Sequence, residues 1–497
     1  MVITASANAQ LDKAYAKSAV RGYPRASPEA VSVAAEAPSR YQLRLLLEEP
    51  CRRSEPTRQL DVEGTLRRLL KQDLTFKGEK TAYATHTLHA FAAKFPPQLP
   101  RLFIHELTHP GEWVLDPMAG SGTALVEAVL AGRHAIGIDL DPLAVLIAQV
   151  KSTPLNLPRC AQIGAEVLQK ARKSLHSSIG KELSHLYSRQ AIEFFQYWFE
   201  EHTIAELYAL VRAIQTIEEA DIRAFLQVVF SSMIITKTGG LTRARDLAHS
   251  RPHRDPNRQV KQSAFEAFRE RLHIAIESLE NIVDAPGRVV VARADARALP
   301  LRDNCVHLIA TSPPYAANAI DYMRAHKFSL MWLGYEPKTL TNLRSKYIGA
   351  ELRSPKLAFA SETANRVLQS LRRKDANRVA VVAHYFRDME TSLREMLRVL
   401  AKGRAAVLVV GSSTIRGVEI KAPTVLAELA DSVGFKVIGV AKREIVRDAR
   451  MMPVSHKSLR NGIEARMHEE GVIGLIKPLC SCDSLPHSTL LHWWEKL

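Results

Sequence analysis

The sequence predicts an α/β protein: an open, doubly wound sheet of seven strands with a helical subdomain inserted between the second and third. Two observations carry this. From about residue 113 onward, short apolar runs of strand length alternate with segments of helical spacing. Residues 152–285 break the alternation with helical spacing alone, and that stretch is too long for an ordinary crossover.

Trp113-Val114-Leu115 reads as a short buried strand, Ala124 to Ala131 as a helix, and His134 to Ile138 as a second strand followed by a second helix. This β-loop-α-β unit opens a parallel sheet. Later strands are expected at 288–292, 306–310, 404–411, 434–440 and 471–478, with a helix over 389–403 before the fifth. Residues 1–80 read as an N-terminal extension, partly disordered, and 479–497 as a C-terminal tail. Between them lie a first sheet segment (84–151), the helical insertion (152–285) and a second sheet segment (286–478).

In the insertion, Phe194, Phe195, Tyr197, Trp198 and Phe199 form a cluster expected to be core or docking face rather than a stacking platform. The stretch 237–262 differs in kind. Lys237, Arg243, Arg245, Arg251, Arg254, Arg258 and Lys261 face only Asp246 and Asp255, and Gly239-Gly240 and two prolines deny it a long helix. A flexible basic loop suits phosphate contacts, and a solvated loop is the plainer alternative.

Lys and Arg total 68 against 52 Asp and Glu, a formal charge of +16 that makes a polyanion the first partner to consider. The five cysteines are scattered, with only Cys480 and Cys482 close-set, which fits a reducing compartment and neither a disulfide framework nor a zinc site. No run approaches the roughly 18–20 apolar residues of a membrane span, so a soluble, cytoplasmic protein is expected.

The segment "DPMAGSGT", Asp116 to Thr123, lies between the first strand and its helix. Gly120 and Gly122 permit a tight turn and close approach of backbone N–H groups to a ligand at the carboxyl edge of the sheet. Without a lysine at the helix start there is nothing to reach β and γ phosphates, which leaves a dinucleotide or an adenosyl cofactor. Asp139 ends the second strand where a carboxylate can accept both ribose hydroxyls, and it would serve NAD equally well. Asp295, just past the third strand, could bind an adenine amino group or cap a turn. Asp141, before Pro142, reads as a helix N-cap.

The fourth strand runs into Ser312-Pro313-Pro314-Tyr315 at the same edge. Proline fixes φ and removes the N–H, so the pair presents carbonyls rather than donors. Acceptors suit an amino-bearing substrate, and Tyr315 offers a face for a planar ring.

These residues resemble the S-adenosylmethionine-dependent DNA amino-methyltransferases. Asp116-Pro117 with Gly120-Ser121-Gly122-Thr123 looks like their cofactor motif, and Thr311 to Tyr315 looks like their catalytic motif in the cytosine-N4 form. Lys94, Phe95 and Pro96 are similar to the motif that packs around the methionine end of the cofactor. The resemblance covers residues 84–151 and 286–478, with the cofactor motif first, whereas cytosine-N4 enzymes commonly place it second. It implies a class I methyltransferase, Rossmann-like sheet, S-adenosylmethionine as cofactor, double-stranded DNA as substrate, a flipped-out base and a possible cognate restriction endonuclease. The target-recognition region is expected in the insertion or in 323–374, where Asp321, Tyr322, Arg324, His326 and Lys327 could line a base pocket or simply pack on the sheet. Adenine-N6 methylation, guanine amino-methylation in RNA and a non-catalytic scaffold are the alternatives.

Overall fold

The computed structural model describes residues 61–175, 179–245, 247, 253–255, 257–316, 321–350, 358–445 and 469–479. Arg251, Cys51, Cys480 and Cys482, the first 60 residues of the expected extension and all but the start of the expected tail lie outside them.

Seven strands form one sheet: β1 (Trp113–Asp116), β2 (His134–Asp139), β3 (Val289–Arg293), β4 (Val306–Thr311), β5 (Leu400–Gly411), β8 (Lys436–Glu444) and β9 (Glu469–Ile476). Two-residue strands β6 (Thr414–Ile415) and β7 (Val418–Glu419) pair as a separate hairpin, absent from the sequence reading. The sheet order is β3-β2-β1-β4-β5-β9-β8. The strands from β3 to β5 run parallel, and β9 runs antiparallel to both β5 and β8. This is the doubly wound class I methyltransferase sheet.

The chain leaves β1 toward β2 and β3 on one side and returns to β4 and β5 on the other. The boundary between β1 and β4 is therefore the switch point, where an open α/β sheet leaves a crevice at its carboxyl edge. Asp116, Asp139 and Thr311 are the last residues of β1, β2 and β4, so all three stand at that edge.

Between β2 and β3 the crossover helix Pro142–Ser152 is followed, among the described residues, by six more helices, from Leu157–Lys173 to Ala264–Leu279. They share one apolar cluster with Leu143, Leu146, Ile147 and Val150 of the crossover helix and with Phe328, Met331 and Trp332 of the helix Met323–Trp332. Phe195 stacks on Trp332, centroids 3.8 Å apart and planes 12° apart, and both are fully buried with Phe199. Tyr197 alone of the aromatic cluster faces outward.

The helix Val62–Leu69 lies within the expected extension but belongs to the fold: Leu66 is buried, and Leu66 and Leu70 lie over Gly474 of β9, the nearest contact of Leu70 falling 2.6 Å from where a Cβ would be. No helix among the described residues is long and apolar enough to cross a membrane.

Candidate active site

Thr311 Oγ1 donates to Asp116 Oδ1 at 2.6 Å, joining the ends of β4 and β1 across the switch point. The same oxygen accepts Met118 N at 3.2 Å, at the start of the glycine loop. Burial raises the Asp116 carboxyl to about 7, against the pull of these donors.

Asp139 organises the loop from the neighbouring strand. Its Oδ2 accepts Gly120 N at 2.8 Å and its Oδ1 accepts Asp141 N at 2.9 Å. A carboxylate oxygen has two acceptor sites, so each keeps one for a ligand hydroxyl. Burial and the nearby Asp141 raise this acid to about 6.

Gly120 and Gly122 have φ of +49° and +76°, in the region that side chains resist. A Cβ on Gly122 would lie 2.9 Å from Ala148 Cα, because the loop presses on the crossover helix. A Cβ on Gly120 would project toward the Phe91 ring, 3.3 Å away, where the partly exposed Phe91 and Tyr322 rings form a wall 5.2 Å apart. Beneath the loop, the buried Lys151 donates to Ser121 O at 2.8 Å, and the Ser121 hydroxyl is buried with no partner. A glycine face left open, an unpaired buried hydroxyl and an acid with free lone pairs suit an adenosyl cofactor with ribose hydroxyls and a charged methionine end.

Lys94 is exposed to solvent yet surrounded by protein, and its ammonium donates to His86 O at 2.6 Å. That enclosure, with Lys237 nearby, lowers it to about 8. Phe95 and Pro96 are partly exposed beside it. Asp295 Oδ1 accepts Arg297 N and Nε, both at 2.9 Å, which caps the turn, and Oδ2 accepts Arg297 Nη2 at 2.7 Å, which leaves that oxygen one acceptor site.

At the tip beyond β4, Ser312 Oγ donates to Val409 O at 2.9 Å, and Pro313 is buried while Pro314 and Tyr315 are partly exposed. The Tyr315 hydroxyl donates to Glu470 Oε1 at 2.5 Å, and Arg443 Nη1 donates to Glu470 Oε2 at 2.7 Å. Burial, then Glu470, raise the tyrosine well above its ordinary value. Sequence reasoning missed Glu470, since nothing near it marks a motif. It reaches the carboxyl edge because β9 runs backward and pairs Glu470 with Gly411 at the end of β5.

Asp141 caps the crossover helix through Leu143 N and Ala144 N, as expected, but also accepts His326 Nδ1 at 2.7 Å and Tyr347 OH at 2.9 Å. Burial would raise it, yet His326 and these hydrogen bonds hold it below its ordinary value. His326 is therefore committed to a buried network. Asp321 pairs with Arg324 and Arg344, and Lys327 lies over Phe194 and Phe328, so of these expected pocket residues Tyr322 alone joins the cleft wall.

The basic loop also needs correction. Arg243 forms a two-point ion pair with Glu200, and Arg258 donates to Thr242 O and Gly240 O, so these two hold the turn together. Lys237, Arg245, Arg254 and Lys261 remain exposed.

Fold and site together define a class I, S-adenosylmethionine-dependent methyltransferase. A family profile described as DNA methylase matches residues 55–150. Type II methyltransferase M.MvaI of Kocuria varians is 24% identical over 72% of this chain and 83% of its own. Type II methyltransferase M.BsoBI of Geobacillus stearothermophilus is 21% identical over 77% and 86%. Among solved structures, TrmN from Thermus thermophilus matches 77% of this chain and 49% of its own at 12% identity and a TM-score of 0.27, too distant a likeness to bear on function. The profile and these relatives support the DNA amino-methyltransferase family, with S-adenosyl-L-methionine as the cofactor.

Proposed function

We propose that the protein methylates the exocyclic N4 of cytosine in duplex DNA at specific sites, by direct transfer to a flipped-out base. The observation that carries this is Ser312 beside the Thr311–Asp116 link: with its proton donated to Val409 O, its oxygen is left as an acceptor at the cleft. An amino group donating to Ser312 and to the Pro313 carbonyl has its lone pair drawn out of conjugation with the ring. Tyr315 supplies a stacking face, since the amino nitrogen cannot be reached inside the duplex. Asp139 and the Gly120–Thr123 loop hold the cofactor, and Lys94, Phe95 and Pro96 close around its methionine end. S-adenosylmethionine supplies an electrophilic sulfonium methyl, and the chain contributes mainly positioning and electrostatics. Serine, rather than Asp or Asn, before the proline pair favours cytosine over adenine. A cognate restriction endonuclease belongs to the same proposal, motivated by the Type II relatives.

The test is mass spectrometry of nucleosides from DNA incubated with the protein and cofactor. N4-methylcytosine is expected. N6-methyladenine as the sole product overturns the assignment to cytosine, and a labelled base in RNA alone overturns DNA. Loss of protection against digestion by a co-purified or neighbouring nuclease in a Ser312→Ala strain tests the pairing with an endonuclease.

A further inference from the structure

The helix Arg189–Trp198 buries Phe195 and turns Tyr197 outward at 51% exposure. The Arg254 guanidinium lies 4.9 Å from the Tyr197 ring centroid. Beside this pair opens a cavity of about 570 Å³ whose lining includes Arg254, Lys261, His202 and Glu200.

The charges in this cavity divide into two sets. Glu200 is neutralised by Arg243, at 3.0 and 2.5 Å, and Arg258 is spent on two backbone carbonyls, both at 2.9 Å. Those groups build the wall. Arg254 and Lys261 form no ion pair among the described residues, and the Arg254 charge reaches Glu200 only at a distance, so the lining carries Arg243, Arg254, Arg258 and Lys261 against the single carboxylate of Glu200, next to an aromatic face. A surplus of cations over carboxylates suits a phosphodiester, and an arginine–aromatic pair suits an unstacked base.

The location supports a nucleic-acid ligand. Phe194 and Trp198 of the same helix each pack on Phe328 with centroids 5.0 Å apart, and Phe328 belongs to the helix Met323–Trp332, the first after the Ser312–Tyr315 tip. The helix that carries Tyr197 thus adjoins the helix that follows the tip.

We propose that Arg254 and Lys261 hold a DNA phosphodiester and that an unpaired base stacks on the Arg254–Tyr197 pair. The proposal rests on the DNA-methyltransferase reading and adds a binding surface for an unpaired nucleotide outside both motifs. All three side chains are exposed, so their replacement leaves the core intact.

Fluorescence anisotropy with a perfectly paired duplex and with the same duplex carrying one unpaired nucleotide tests it. The wild-type protein should prefer the second. Arg254→Ala with Lys261→Ala should lower the slope of log affinity against log salt by about one unit. Tyr197→Ala should weaken binding to the second duplex by about 5- to 100-fold with the slope unchanged, and abolish the preference. An unchanged slope in the first variant, an intact preference in the second, or displacement by polyglutamate but not by DNA overturns the proposal. Methyl transfer does not enter the readout: DNA binding that obeys these expectations without transfer counts against the enzymatic reading alone, and full transfer with an unchanged slope counts against this surface alone.

Discussion

Tyr315 reaches its neighbours through both its ring and its hydroxyl, and the two can be separated by mutation. Glu470 receives the hydroxyl at 2.5 Å and is itself fixed by Arg443 at 2.7 Å, so the ring plane is set from β9, two strands along the same sheet. Tyr315→Phe and Glu470→Ala should each lower kcat by about tenfold, the effect of misplacing a reacting group rather than removing one. The double variant should be no worse than either single one, because both remove the same hydrogen bond, and Glu470→Gln, whose amide oxygen still accepts, should recover most of the rate. Additive losses, or a loss confined to cofactor affinity, would show that Glu470 acts elsewhere. The acids of the glycine loop give a second residue-scale expectation. Asp139 titrates near 6, raised by burial and by Asp141. Its ionised form accepts ribose hydroxyls best, so cofactor affinity should hold at pH 7.5 and fall about tenfold by pH 5, as the raised acid takes up its proton. Asp139→Asn should bind more weakly at pH 7.5 and lose most of that slope. What slope remains reports Asp116, which titrates near 7. Calorimetric titration across this range decides it, and a flat profile in the wild type would remove Asp139 from the ribose.

At the level of elements, the two loop glycines have different duties. Gly122 presses on the crossover helix backbone, so Gly122→Ala should cost at least about 1–2 kcal/mol from its left-handed backbone alone, seen as a lowered Tm. Gly120 faces a ring edge at the cleft, so Gly120→Ala should lose cofactor affinity with a smaller change in Tm. The reverse ranking would show that the loop is oriented otherwise. Such turns were legible in the sequence because glycine spacing after an apolar run has few other uses, and the seven strands were legible because each is a short apolar run. Boundaries were less so. The helix expected over 389–403 runs over Ala376–Val399, started by an Asp375 cap, and passes without a turn into β5 at Leu400. Gly403, at φ +73°, lies inside that strand rather than at the end of the helix. The Arg416-Gly417 turn, with both φ positive, makes a hairpin too short to show a period. Within the site, the strand-end acids and the proline tip could be located from their own neighbours. Glu470, Phe91 and Lys151 could not, because each meets the site only through tertiary packing. The same holds for Arg243 and Arg258, whose partners in the fold a charge pattern does not reveal.

For the whole molecule, the question is whether the helices between β2 and β3 are an attachment or part of one body. Their apolar cluster continues into the crossover helix through Leu143, Leu146, Ile147 and Val150, and into the helix after the Ser312–Tyr315 tip through Phe328 and Trp332. Deleting the insertion would expose these six side chains. At about 1.5–3 kcal/mol for each large apolar side chain, the loss is on the order of 10 kcal/mol, comparable with the whole stability of a typical domain. A variant in which a short Gly-Ser linker replaces residues 157–281 should therefore show no cooperative thermal transition and no cofactor binding. A milder change separates this from a badly placed linker. Phe195 stacks on Trp332 across the boundary, and Phe195→Ala in the full chain should cost about 3–5 kcal/mol. Because Trp332 lies in the helix that follows Ser312–Tyr315, that loss should appear as one lowered transition followed alike by tryptophan fluorescence and by far-ultraviolet circular dichroism. Two separated transitions, with cofactor binding surviving the first, would mean that the insertion melts as an independent domain. In that case the catalytic sheet would stand without the helices, and their contribution would be limited to contacts with DNA.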